Sequence, residues 1–69
     1  MKSRMSRILK ARRAKGLTQV QLARLIQVDA MTVSRWENNE FAPAGKNLVR
    51  LAGVLGVSVA SLLRKGRAE

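Results

Sequence analysis

The same three-residue joint recurs three times along this chain, as Gly16-Leu17-Thr18, Gln27-Val28-Asp29 and Gly56-Val57-Ser58, and each is suited to end one helix and start another. The first residue fits the left-handed position just past a helix C-terminus, which glycine adopts freely and Gln27 only at a cost of up to about 1 kcal/mol. The third carries a side-chain oxygen that can accept from the unpaired amides of the following helix. The middle residue is a hydrophobic staple. Leu17 is matched by Leu22, Val28 by Val33 and Val57 by Leu62, and every partner is aliphatic. Thr18 also has Gln21 three positions later, a capping box that gives the second helix the best-defined start in the chain.

These joints and the spacing of apolar residues predict helix 1 from about Arg4 to Lys15, helix 2 from Gln19 to Ile26 and helix 3 from Ala30 to Asn38. Helix 4 is expected from about Ala44 to Leu55 and helix 5 from Val59 to Arg64. No period-two pattern marks a strand, so the expected fold class is all-α. The expected core face takes Ile8, Leu9 and Ala11 from helix 1, Leu22, Leu25 and Ile26 from helix 2, and Val33 and Trp36 from helix 3. Helix 4 adds Leu48, Leu51, Ala52 and Leu55. Pro43 restrains the approach to helix 4. Helices 2 and 3 are separated by only about three residues, as in a helix-turn-helix, although a generic helical hairpin shows the same pattern.

At 69 residues the chain lies near the lower size at which an apolar core alone supports a fold, and residues 1–69 are read as one domain. Cys and His are both absent, which removes disulfides, thiolate ligands, the usual general base and the commonest neutral metal ligand. With only four acids there is no pair of nucleophile and base to propose, so catalysis, a cofactor and a metal are not expected. Fourteen Lys and Arg give a formal charge of +10, which favours a polyanionic partner, the plain alternative being a solvated basic face. Lys2, Arg4, Arg7, Lys10, Arg12, Arg13, Lys15 and Arg24 all precede the first acid, Asp29. No secretory signal pattern is visible, and the longest uncharged run, Leu51 to Leu63, is short of the ~20 apolar residues of a spanning helix. A cytoplasmic protein with no membrane partner is expected.

Arg12, Gly16-Leu17-Thr18-Gln19 and Leu22-Ala23 are followed in order by Val28, Val33-Ser34-Arg35-Trp36-Glu37-Asn38, Pro43, Leu51-Ala52 and Leu55-Gly56-Val57-Ser58. This ordered set resembles the helix-turn-helix of the phage repressor and Cro (XRE-like) regulators, over about Arg7 to Leu63. The resemblance implies a five-helix, lambda-repressor-like DNA-binding domain whose third helix enters the major groove, usually as a dimer on a palindromic operator. It also implies an ion pair between Arg12 and Glu37, joining helix 1 to the end of helix 3. The chain departs from the family at Gln27 and Asn39, where glycine is common; Asn tolerates left-handed geometry well. Glu40 is a further departure, since an acid near the groove edge repels phosphate, and it either points away or bounds the contact surface.

On double-stranded DNA such a unit divides its contacts between positioning and reading. The start of helix 2, with Thr18 and Gln19, is expected to grip one phosphate backbone, and Asn38 and Lys46 another. On helix 3, Ala30 and Met31 offer apolar surface to thymine methyls and Thr32 and Ser34 can hydrogen-bond. Arg35 can pair bidentately with guanine O6 and N7, or else clamp a phosphate. Asp29 is either a helix cap or an acceptor for cytosine N4. Trp36 falls on the inward face, which favours core packing over base stacking. The function expected is a sequence-specific transcriptional regulator, a repressor, with no small-molecule effector. The alternative is an antitoxin-type regulator that binds a protein and its own promoter. A homodimer would use Val59, Leu62 and Leu63.

Overall fold

A computed structural model describes residues 6–63 of the chain. Five helices succeed one another, α1 (Arg7–Ala14), α2 (Gln19–Ile26), α3 (Ala30–Glu37), α4 (Gly45–Leu55) and α5 (Val59–Leu63), with no strand among the described residues. The packing runs from α1 to α3, on to α2, α4 and α5, and back to α1, a closed ring of neighbours around one core. Leu22, Ile26, Val33 and Leu51 are sealed from solvent at its centre, and Ile8, Ala23, Trp36 and Leu55 complete it. Trp36 therefore packs in the core, where its indole is closed to nucleic-acid bases.

All three joints end a helix in the same way. Gly16, Gln27 and Gly56 take positive φ of 72°, 62° and 71°. Each following residue then returns its N–H to a carbonyl five positions back, Leu17 to Arg12 at 3.1 Å, Val28 to Ala23 at 2.9 Å and Val57 to Ala52 at 3.1 Å. This is the Schellman closure, which satisfies orphan carbonyls and turns the next side chain inward. Leu17, Val28 and Val57 accordingly pack against the core cluster.

The starts of the helices are less uniform. Thr18 Oγ1 accepts from the Gln21 N–H at 3.0 Å while Gln21 Oε1 accepts from the Thr18 N–H at 2.9 Å, closing the capping box. Ser58 Oγ accepts from the Ser61 N–H at 3.0 Å. Asp29 stands at the N-cap of α3 with extended backbone, yet its carboxylate makes no capping hydrogen bond. The capping role expected of its side chain is not what the structure shows.

Several expected boundaries and core positions are corrected. α1 begins at Arg7, because Ser6 is extended and caps it by accepting from the Leu9 N–H at 3.0 Å; Arg4 lies outside the described residues. Lys15, Asn38 and Ala44 are caps and not helical residues. Arg64 lies outside the described residues, as does the side chain of Leu63. Leu25 is 56% exposed, because the buried arc of α2 runs through Leu22, Ile26 and Ala23 to one side of Leu22 and leaves Leu25 on the other. Leu9 is half-buried on the flank of α1.

Gln27 holds a left-handed conformation with its side chain exposed, so replacing it by glycine relieves backbone strain and removes little contact. Gln27→Gly is expected to stabilise the fold by about 0.5 to 1 kcal/mol after the extra entropy of glycine in the unfolded chain is subtracted. Thermal melts should show Tm rising by about 4 °C, with Gln27→Val falling instead. A lower Tm for Gln27→Gly would mean that the glutamine side chain stabilises the turn.

Candidate nucleic-acid interface

The orientation of α3 is set at its C-terminal end by a charged side chain that is almost entirely buried. Arg12 of α1 donates from Nε to Glu37 Oε2 and from Nη2 to Glu37 Oε1 at 3.1 Å. Its remaining arm, Nη1, donates to the carbonyl of Leu17 at 2.8 Å, in the turn before α2. Gln19 of α2 adds a donation from Nε2 to Glu37 Oε1 at 2.9 Å. The side chains of Arg12 and Glu37 are 11% and 4% exposed. One carboxylate thus gathers α1, the first turn of α2 and the last turn of α3.

With Val33, Trp36 and Glu37 turned inward, the opposite side of α3 is set outward. Met31 is 61% exposed, and Arg35, one turn further on the same face, keeps a half-exposed side chain. Thr32 and Ser34 are half-buried on the flanks. Ala30 is half-buried and packs against the core, so of the expected base-reading residues it is the one turned most towards the protein. The carboxylate of Asp29, uncommitted as a cap, stands exposed at the start of the same helix.

The expected phosphate contacts fall on three elements. Thr18 is exposed and closes its capping box, which takes up the N–H groups of Thr18 and Gln21. Among the described residues, no protein acceptor takes the next two first-turn donors of α2, the N–H groups of Gln19 and Val20. The Gln19 side chain itself is committed to Glu37, which leaves its backbone as the part free to meet a phosphate. Asn38 is exposed at the C-cap of α3, where its N–H donates to the Ser34 carbonyl at 2.9 Å, and Lys46 is exposed in the first turn of α4.

Two contacts escape sequence reasoning. Glu40 Oε1 lies 4.0 Å from Arg35 Nε, a pairing five positions apart that regular helix geometry does not produce. The positive φ of Asn39, 61°, brings it about, and an asparagine in a family glycine position is the signal that could have found it. The donation from Gln19 to Glu37 spans 18 positions and leaves no local trace. Among the described residues no cluster of acids could hold a metal ion, and no helix is long and apolar enough to cross a membrane.

Removing one partner of the buried pair strands the other charge, and Arg12→Ala is expected to cost about 3–5 kcal/mol. The double variant Arg12→Met, Glu37→Leu should be less destabilised than Arg12→Ala, since no buried charge remains. Thermal melts of both, with hydrogen exchange of the α3 amides, check this; unchanged melting of Arg12→Ala would refute it.

Residues 8–62 match the profile of the helix-turn-helix family, which covers all of α2, α3 and α4 and most of α1 and α5. No curated protein and no solved structure shows a significant match to the chain. The joint at Gln27-Val28-Asp29, the outward face of α3 and the span of the match agree: the chain belongs to the helix-turn-helix family of DNA-binding regulators, of the phage repressor and Cro type.

Proposed function

We propose that this protein is a sequence-specific transcriptional repressor that reads duplex DNA with α3 in the major groove. The observation that carries the reading is the division of α3 into a locked inner face, held by Glu37, and an outer face that presents Met31 and Arg35. A helix fixed by a directional ion pair can hold a guanidinium in one register against base edges, which a helix held by apolar contacts alone does less well. Arg35 then pairs with guanine O6 and N7, Met31 meets a thymine methyl, and Thr32 and Ser34 make shorter-range contacts at the flanks. Ala30 contributes at most a methyl at the edge of this surface.

Positioning falls to the backbone amides of Gln19 and Val20 beside Thr18, and to Asn38 and Lys46. Repression is the outcome that occupancy of a promoter produces by itself. Val59 and Leu62 are half-buried and Leu62 packs on the core, which reduces the apolar surface these two residues offer a dimer in solution. Two copies pair on the operator instead, with half-sites about one helical turn apart.

Selection from a random duplex library followed by footprinting tests the reading, and failure to enrich any motif overturns it. On single-base variants of the selected duplex, Arg35→Ala should lose about 1–3 kcal/mol, confined to one base pair. Lys46→Ala should weaken all duplexes alike and lower the salt slope by about 1. Uniform weakening by Arg35→Ala would make it a phosphate clamp and remove it from the reading surface.

A further inference from the structure

α3 ends as α1, α2 and α4 do, with one difference. Asn39 takes a φ of 61°, and the N–H of Glu40 donates to the carbonyl of Arg35 at 2.9 Å, again five positions back. At the three joints the residue in this slot is Leu17, Val28 or Val57, an aliphatic side chain packed on the core. In the fourth closure the slot holds an acid, and it is exposed. The closure that elsewhere clamps a staple here places a carboxylate beside Arg35, with Glu40 Oε1 4.0 Å from Nε and both side chains about half exposed, at 50% for Arg35 and 56% for Glu40. A pair this exposed adds little to stability. The closure fixes where residue 40 stands, but stability does not account for an acid in that position.

We propose that Glu40 is a positioning residue for Arg35, holding the Nε edge of the guanidinium so that the terminal Nη1–Nη2 fork faces the bases, and selecting against phosphate contact at that point. A guanidinium has two edges capable of paired hydrogen bonds, and a carboxylate on the Nε side leaves the end-on fork for guanine O6 and N7. The same carboxylate repels a phosphate that approaches Arg35, so a partner that offers the fork two neutral acceptors is favoured. That is discrimination by an added repulsive element. The coupling grows when the groove closes over the pair and water is displaced. This inference rests on the proposed reading of DNA by Arg35.

The test compares wild type, Glu40→Gln, Arg35→Ala and the double variant on the selected duplex, on its single-base variants and on random duplex, over a range of salt. Because the closure is made by backbone and both side chains are exposed, Glu40→Gln should melt like wild type. It should bind random duplex about threefold to tenfold more tightly and with a steeper salt dependence. Discrimination at the base pair read by Arg35 should fall by about threefold to tenfold while the other positions keep theirs. In the Arg35→Ala background, Glu40→Gln should leave that base pair unaffected. Glu40→Gln that binds every duplex more tightly with discrimination intact overturns the positioning role and leaves the Arg35 reading standing. Arg35→Ala with full discrimination at every base pair overturns that reading and this inference together.

Discussion

The position of α3 depends on the carboxylate of Glu37. Apolar contacts among Leu22, Ile26, Val33 and Leu51 bring the helices together, but they are non-directional and tolerate a helix that slides or rolls. The Arg12–Glu37 pair is directional: two arms of the guanidinium meet the carboxylate, the third meets the Leu17 carbonyl, and Gln19 adds a further donor. A lysine could not reproduce it, since one ammonium cannot meet a carboxylate as a planar fork while also reaching a turn carbonyl on the far side. The pair need not raise net stability, because both charges lose water and Glu37 stands at the unfavourable negative end of the helix dipole. What it supplies is register, which non-directional core contacts alone do not fix.

Helices this short cannot stand alone. α1, α2 and α3 have eight residues each, below the length at which an isolated helix is stable in water, so each exists only through its caps and neighbours. The repeated closure serves this need economically: one left-handed residue ends a helix, and the residue after it both satisfies a carbonyl and anchors the turn in the core. The ring of contacts follows, because three of the four chain reversals are fixed at joints pinned to the same cluster. Gln27 is the strained member of the set, and it lies in the turn that sets the angle between α2 and α3.

Features encoded by neighbours in sequence are legible in the sequence itself. The three closures, the capping box at Thr18 and the inward position of Trp36 are local patterns with a period or a fixed offset, and the structure contains each of them. The expected all-α fold and the membership of the helix-turn-helix family rest on the same patterns. Leu25 was misplaced because spacing identifies an apolar stripe but not which side of it a neighbouring helix covers. Asp29 has both the residue type and the joint position of a cap, whereas a cap also needs the side chain to turn back on its own helix. The commitment of Gln19 to Glu37 had no local signature, being set by how α2 and α3 dock. For the candidate surface, exposure of Met31 and Arg35 follows from helix phase, and so does the half-burial of Ala30, which stands three and seven positions before the inward Val33 and Glu37.

The placement of acids bears on how affinity and selectivity divide. The four acids of the chain are Asp29, Glu37, Glu40 and Glu69, and the first three bracket α3 at its cap, its last turn and its closure. Glu37 is neutralised by Arg12, which leaves Asp29 and Glu40 exposed around the single arginine of the helix. Exposed cations lie instead on the other elements, with Arg7, Lys10 and Arg13 on α1, Arg24 on α2, and Lys46 and Arg50 on α4. A helix with this local balance gains little from phosphate attraction by itself, so under the proposed function a random duplex is held by the flanks and not by α3. On the proposed reading, binding through the groove then depends on whether the bases present acceptors where the Arg35 fork lies, and sequence enters the free energy where the electrostatic background is weakest. A uniformly basic α3 would bind more tightly to everything and distinguish less.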